Sequence, residues 1–328
     1  VQLAVWTQPY VDLQSPAEIA PLVDRLARGG VNLIFPCVKS EVHFTAGKSL
    51  AYFATGLIDA APLGDVLGGV CERAHEHGMA VHPWLCVMLE GDSRFLRAHP
   101  DARCCAFDNL NQSAPLPMAC PASEDTKAFA LAVAREVVRQ YPVDGLHLDF
   151  IRYPGLNTCS CPRCREDMRR AIDARPEDIF SSGEARRWWL EHRREQITGL
   201  VESISAMAHD AGKDISAAVF CDYPRALDEV GQDWADWCRR GLVDVIVPMN
   251  YKAGLAEFMV AAVGHRAVLG DEAIILEGIA KTTETVSLSA GQLARQVEAA
   301  VELGCAGACI FAARSLDEDD LAALRSLR

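Results

Sequence analysis

The chain has 328 residues, 32 basic and 45 acidic side chains and a formal net charge of −13; half of its residues are apolar and 23% are charged. That balance excludes a disordered or fibrous protein, and no apolar run of roughly 18 residues is present to span a bilayer. The acidic excess speaks against a nucleic-acid partner, which needs a basic face, and leaves neutral or cationic substrates. Residue 1 is Val, so the chain reads as trimmed, with any leader out of sight. Localisation therefore stays open between cytoplasmic and secreted or periplasmic. Of the thirteen cysteines, Cys37, Cys86, Cys221 and Cys309 sit in apolar runs and read as buried thiols rather than a disulfide framework.

In chain order, strands are expected at 3–6, 31–38, 79–87, 143–150, 215–221, 243–249, 273–280 and 308–312. Ser15-Pro16-Ala17-Glu18 reads as a capping box opening a helix along Ile19, Leu22, Val23 and Leu26, which Gly29-Gly30 ends. Further helices are expected at 62–77, 123–140, 184–211, 292–303 and 317–327, several followed directly by Gly (Gly78, Gly212, Gly304). Eight strand–helix alternations predict a (β/α)8 barrel, a TIM barrel in one domain over 1–328. The competing open sheet announces a glycine-rich phosphate turn after its first strand, whereas here that strand runs into Trp6-Thr7-Gln8-Pro9. Barrel active sites lie at the carboxyl ends of the strands. The long connections after strands two, three and four (39–61, 88–122 and 154–183) therefore predict walls around a substrate larger than a triose.

Strand four reads Asp144-Gly145-Leu146-His147-Leu148-Asp149-Phe150-Ile151-Arg152-Tyr153-Pro154. Period-2 alternation turns Leu146, Leu148 and Phe150 to the helices and His147 and Asp149 into the barrel, with Asp149 at the top. An interior carboxylate needs a partner, and Arg152 is near enough in sequence. The pair is either structural or a catalytic carboxylate whose ionisation Arg152 and His147 control.

DGLHLDFIRYP resembles the strand-four signature of the glycosyl-hydrolase-like 10 family of bacterial proteins. Ala119-Cys120-Pro121, Gln232-Asp233-Trp234 and Pro248-Met249-Asn250-Tyr251 agree with that family, in the expected order. The resemblance implies a barrel related to the α-amylase and chitinase types, with glycosidase or glycan-binding activity. Gly145, His147 and Asp149 fall on the Gly–x–Arg–x–Asp pattern of α-amylase-type enzymes, with His in place of Arg and Asp149 in the nucleophile's place. Against the DGxDxDxE strand of family-18 chitinases, Asp144-Gly145 and Asp149 match, while His147 replaces the middle Asp and Ile151 stands where the acid belongs. A substrate-assisted chitinase mechanism is thereby set aside.

Glycoside hydrolysis ordinarily uses two carboxyl groups, about 5–5.5 Å apart for retention and 6.5–9.5 Å for inversion. With Asp149 as nucleophile or base, the expected proton donor is Asp222, directly after strand five, or Glu277, which interrupts Ile274-Ile275-Leu276 and should face the interior. Each has an alternative: a turn or helix-capping Asp222, and a Glu277 paired with Lys281 or Arg152. Asp12, Glu41 and Glu90 lie on top-side loops as further candidates. His147 is itself a candidate acid or base. Trp6, Trp84, Tyr153, Tyr223 and Tyr251 are expected to stack on sugar rings or else to pack the core. Gln8, Lys39, His82 and Asn250 suit hydroxyl groups, His82 doubling as a core histidine, and Arg152 completes the substrate set. Cys159, Cys161 and Cys164 form CxCxxC, dense enough for a structural zinc with a fourth thiolate from Cys104, Cys105 or Cys120, or for disulfides. Catalysis is expected to need no cofactor, and the missing HxH on strand one speaks against a metal-dependent amidohydrolase. The reading is a hydrolase of O-glycosidic bonds with a carbohydrate substrate and no membrane span; a homo-oligomer is compatible with it. The alternatives are a carbohydrate-binding barrel without catalysis, and a lyase or deacetylase.

Overall fold

The computed structural model describes residues 1–41, 47–108, 113–271 and 273–327, of which the side chain of Glu41 is not described. Eight parallel strands form the barrel: β1 (Gln2–Thr7), β2 (Leu33–Glu41), β3 in two segments (Ala80–Val81 and Trp84–Cys86), β4 (Gly145–Asp149), β5 (Asp214–Val219), β6 (Val245–Pro248), β7 (Ile274–Ala280) and β8 (Gly307–Phe311). Each pairs with the next, and β1 pairs with both β2 and β8, through Ala4 opposite Leu33 and Gln2 opposite Gly307, so the cylinder closes. The principal helices alternate with them: α1 (Ile19–Arg28), α2 (Leu67–Glu76), α3 (Glu124–Gln140), α4 (Gly183–Asp210), α5 (Trp234–Arg239), α6 (Leu255–Leu269), α7 (Ala290–Glu302) and α8 (Glu318–Arg325). The expected (β/α)8 fold is present. Among the described residues no helix is long and apolar enough to cross a membrane.

Several local expectations shift. β3 breaks at His82-Pro83 because proline has no N–H for the ladder. The capping box at Ser15 does not close: its side chain makes no cap bond, and Glu18 Oε2 accepts from Gln14 N at 2.9 Å. α6 has no counterpart among the helices expected above, since apolar residues lie on all its sides; Val260 is 75% exposed while Phe258 is buried. The long connections carry structure of their own. Ser49–Ala51 lies antiparallel to β2, Arg103–Phe107 and Ser113–Ala119 form a ribbon after β3, and a helix, Pro162–Ile172, follows β4.

The barrel interior is aromatic, with polar groups tied in pairs. His147 stacks on Phe35 (ring centroids 3.9 Å apart, 9° between planes), and its Nε2 accepts from Trp6 Nε1 at 2.9 Å. His147 Nδ1 and His82 Nδ1 both meet Ser216 Oγ, at 2.9 and 3.0 Å, while that hydroxyl lies 3.2 Å from the carbonyl of Leu146, to which it donates. With the hydroxyl proton engaged, each histidine donates to Ser216 Oγ from Nδ1, and His147 Nε2 is left to accept from Trp6. Burial brings His82 down to about 4 and holds His147 well below the ordinary imidazole range, so both are neutral. Gly145 permits this packing: a Cβ there would lie 2.6 Å from the His82 ring and 2.5 Å from the carbonyl of Asp214. Ser216→Ala strands two buried N–H donors. It should lower the unfolding free energy by about 2–5 kcal/mol, read by urea denaturation, with the loss unchanged between pH 6 and 8.

Candidate active site at the barrel mouth

β4 delivers Asp149 to the carboxyl end of the barrel, where its side chain is 8% exposed. Asp149 Oδ1 accepts from Arg152 NH1 at 2.9 Å and from the backbone N of Phe150 at 2.6 Å, whereas Oδ2 takes no hydrogen bond from the described residues. The chain turns sharply to make this possible. Phe150 has φ 51°, in the left-handed region that bulky side chains avoid, a conformation costing about 1–3 kcal/mol. The turn brings Arg152 back over the Phe150 ring (4.1 Å) and near that of Phe220 (5.2 Å), so the guanidinium faces aromatic surface on one side and the carboxylate on the other.

Asp149, Phe150 and Arg152 line a cavity of about 140 Å³ on the barrel axis. Its remaining wall is largely apolar: Trp6, Trp84, Tyr251 and Phe311, with Tyr251 stacked on Phe311 at 5.7 Å, and Met249 and Ala218 between them. Burial raises the Tyr251 phenol well above its ordinary value, aided by the nearby Asp149 charge, so it stays protonated. Gln8 also lines the cavity and donates through Nε2 to Tyr10 Oη at 2.8 Å. Gln8 Oε1 and Trp84 Nε1 are buried without a hydrogen-bond partner among the described residues. An orphan acceptor and an orphan donor around one cavity are suited to a ligand bearing hydroxyls.

Of the predicted residues, Asp149, Arg152, Trp6, Gln8, Trp84 and Tyr251 thus converge on one cavity. The others go elsewhere, each for a physical reason. His147 lies below the cavity with both ring nitrogens engaged, which removes it as an acid or base. His82 is the core histidine of the same network rather than a hydroxyl partner. Lys39 is 2% exposed, pairs with Glu90 at 2.7 Å and donates to the carbonyls of Cys86, Val87 and Leu89; both residues are consumed bracing the tops of β2 and β3. Tyr153 is fully buried beneath Arg193, 4.7 Å from its ring. Asp12 folds onto the backbone N of Gln8 without lining the cavity, and burial pushes it up to about 6. The Glu41 side chain lies outside the described residues.

Asp222 and Tyr223 line a different cleft, of about 670 Å³, between the end of β5 and α6. Asp222 Oδ1 caps the following turn by accepting from Arg225 N at 3.1 Å, and Tyr223 donates to Asp233 at 2.6 Å. Glu277 faces the helix layer rather than the interior. The inward residue is its neighbour Gly278, where a Cβ would meet Trp6 at 3.3 Å and the carbonyl of Pro248 at 2.7 Å. Glu277 instead accepts from His265 Nδ1 at 2.7 Å and Asn250 Nδ2 at 3.0 Å, which also accounts for Asn250. This cleft is larger than the axial cavity and is lined by two exposed carboxylates, Asp222, which caps a turn, and Glu257; the axial cavity is lined by the buried Asp149, whose Oδ2 takes no hydrogen bond from the described residues. Sequence reasoning missed Phe150, Met249 and Phe311 as cavity residues; none carries a polar signal, and the turn at Phe150 is invisible to strand alternation.

His265 donates from Nδ1 to Glu277 and from Nε2 to the carbonyl of Cys221 at 2.7 Å, so both nitrogens face acceptors and the ring is an imidazolium. Burial alone would lower it, but its contacts with Cys221 and Glu277 raise it from 6.5 to about 10. A folded-state value above the unfolded one contributes stability that is complete below about 6.5 and is lost as pH rises through about 10. Glu277→Gln should therefore cost about 3 kcal/mol at pH 6, measured by denaturant unfolding. The variant should also flatten the wild type's decline in stability between pH 7 and 10.

Near the mouth, Cys159, Cys161 and Cys164 gather with Cys120, all four sulfurs within 4.8 Å of one another and buried. Every cysteine is a free thiol, so the disulfide alternative is not realised, and neither Cys104 nor Cys105 belongs to the group.

Closed barrel, axial carboxylate and aromatic walls together define a (β/α)8 barrel of the kind found among glycoside hydrolases. The chain belongs to the glycosyl hydrolase-like 10 family, which it matches over residues 4–302. Among curated relatives, Glycosyl hydrolase DigH of Escherichia coli K12 is 24% identical over 258 residues, covering 70% of this chain and 56% of DigH. The chain thus spans about half the length of the curated relatives it matches. The glycoside hydrolase domain of PgaB (BpsB) from Bordetella bronchiseptica superposes with a TM-score of 0.74 at 14% identity, over 99% of this chain and 98% of that one. A β-galactosidase from Halorubrum lacusprofundi superposes with a TM-score of 0.70 at 12% identity, over 99% and 57%. At these identities the superpositions bear on the fold.

Proposed function

We propose that the protein is a glycoside hydrolase that cleaves O-glycosidic bonds of an oligo- or polysaccharide at the barrel mouth, with Asp149 as the carboxylate acting on the anomeric centre. The observation that carries the reading is the state of Asp149. Oδ1 is held by Arg152 and the Phe150 N–H while Oδ2 is left open on an aromatic-walled cavity. Both bonds fix the orientation of the carboxylate, as a nucleophile, a base or a stabiliser of an oxocarbenium-like transition state requires. Trp6, Trp84 and Tyr251 offer apolar faces for the C–H surface of a pyranose, and Gln8 Oε1 and Trp84 Nε1 offer a hydroxyl an acceptor and a donor. Protonation and displacement at an acetal call on no organic cofactor.

A second reading has its own observation. Asp149 is the one carboxylate lining the cavity among the described residues, because Asp222 and Glu277 are engaged elsewhere. A barrel that binds a glycan without cutting it needs no second carboxyl group. Asp149→Asn separates the two. On a glycan panel read by mass spectrometry, the wild type should release products carrying an added water. The variant should lose at least about 10³-fold in turnover with its melting temperature within a few degrees. Turnover retained by the variant removes Asp149 from the chemistry; binding without products from the wild type establishes the second reading.

Arg152→Lys keeps the charge but loses the planar donor geometry and the aromatic stacking. It should lower turnover at least about tenfold, chiefly in kcat, because the carboxylate is left poorly oriented.

A further inference from the structure

The thiol cluster beside the mouth is not used by the reaction proposed above. Cys159, Cys161 and Cys164 follow β4, whereas Cys120 stands between the ribbon strand Ser113–Ala119 and α3. The cluster therefore joins the two longest walls of the mouth. In a tetrahedron with bonds of about 2.3 Å, sulfurs stand about 3.8 Å apart. Cys120 Sγ and Cys164 Sγ are 3.5 Å apart, and the whole set lies within 4.8 Å. The four sulfurs are grouped closely enough for one metal ion to reach all of them.

Backbone N–H groups face the sulfur of Cys159. Cys159 Sγ accepts from the backbone N of Cys105 at 3.2 Å and of Cys161 at 3.3 Å, the outer contacts that orient thiolate ligands. Cys161 and Cys164 flank the start of the eleven-residue helix Pro162–Ile172, at its positive end. Arg193 is an independent sign. It is 1% exposed and forms no ion pair with a carboxylate among the described residues; its NH groups donate to the carbonyls of Gly155, Asp228 and Glu229, and Nε has no partner. A buried cation without a counter-charge is costly: burial lowers Arg193 to about 10, against the opposing influence of Tyr153 and then of Cys104, Cys164 and Cys159.

We propose that Cys120, Cys159, Cys161 and Cys164 bind one Zn²⁺ as a four-thiolate structural site, with Arg193 balancing part of its charge. Each thiol gives its proton to solvent as its S–Zn bond forms, so the filled site carries −2, and no oxidant or reductant is involved. Four sulfurs close the coordination sphere, which leaves no place for substrate and makes the ion a brace rather than a catalyst. It ties the segment 150–161, which carries Arg152, to the ribbon. Hydrogen bonds already pair these walls, from Phe107 N to the carbonyl of Asn157 at 3.0 Å and from Ser160 N to that of Cys105 at 2.9 Å.

Metal analysis of the protein, purified under reducing conditions and exchanged into chelator-free buffer, tests the assignment. The expected result is about one zinc per chain. Cys120→Ser should fall below about one tenth of that content, and Cys105→Ser should keep it. Should Cys120→Ser fail to fold, the wild type still decides: refolded with Co²⁺, it should show the intense thiolate-to-metal charge-transfer absorption of a tetrahedral site. Sub-stoichiometric metal, iron in place of zinc, or an intact mass two hydrogens short from a disulfide among these cysteines overturns the proposal.

Discussion

The chain spends backbone strain and a buried ion pair on holding one carboxylate at the end of β4. Phe150 adopts a left-handed conformation, its N–H and the Arg152 guanidinium both close on Asp149 Oδ1, and the neighbouring rings of Phe150 and Phe220 confine the guanidinium. The strands of the barrel fix where this happens; the turn after β4 fixes which oxygen remains available. Backbone strain and a carboxylate oxygen without a hydrogen bond from the described residues coincide at this turn.

The treatment of the other buried charges supports the same location. Lys39 closes on Glu90, Lys281 on Asp320 at 2.8 Å and His265 on Glu277, each between elements of the scaffold. Ser216 ties the two neutral histidines of the barrel interior. At the mouth, Asp149 Oδ2 takes no hydrogen bond from the described residues, and atoms of Gln8 and Trp84 without a partner among those residues belong to the lining of the same cavity. The α6 cleft is roomier; its imidazolium, His265, is matched to Glu277 and a backbone carbonyl, and its carboxylates, Asp222 and Glu257, are exposed.

Much of this is legible in the sequence because strand alternation is a strict geometric rule. The eight alternations point to the barrel, and counting along DGLHLDFIRYP puts His147 and Asp149 inside with Arg152 within reach. Residue identity misleads where phase or partner is unknown. A charge amid Ile and Leu invites an inward, functional reading of Glu277, yet Gly278 holds the inward position to make room for Trp6. The partner of Glu277, His265, sits on α6, whose all-round apolar composition carries no periodic signal. Asn250 and Lys39 have strand-end positions that suit ligand contacts equally well, and only contacts distant in sequence show them to be engaged. Among the three possible fourth thiols, adjacency favours none; the fold brings Cys120 to the cluster by returning the ribbon toward α3.

A glycan bound by this protein should sit in the axial cavity. A crystal structure of the protein soaked with an oligosaccharide that it binds tests this directly. A sugar ring should occupy the axial cavity, with a hydroxyl or the anomeric carbon within about 3.2 Å of Asp149 Oδ2 and with Gln8 Oε1 and Trp84 Nε1 engaged. A sugar seated in the cleft beside α6, with the axial cavity holding only water, would contradict the account.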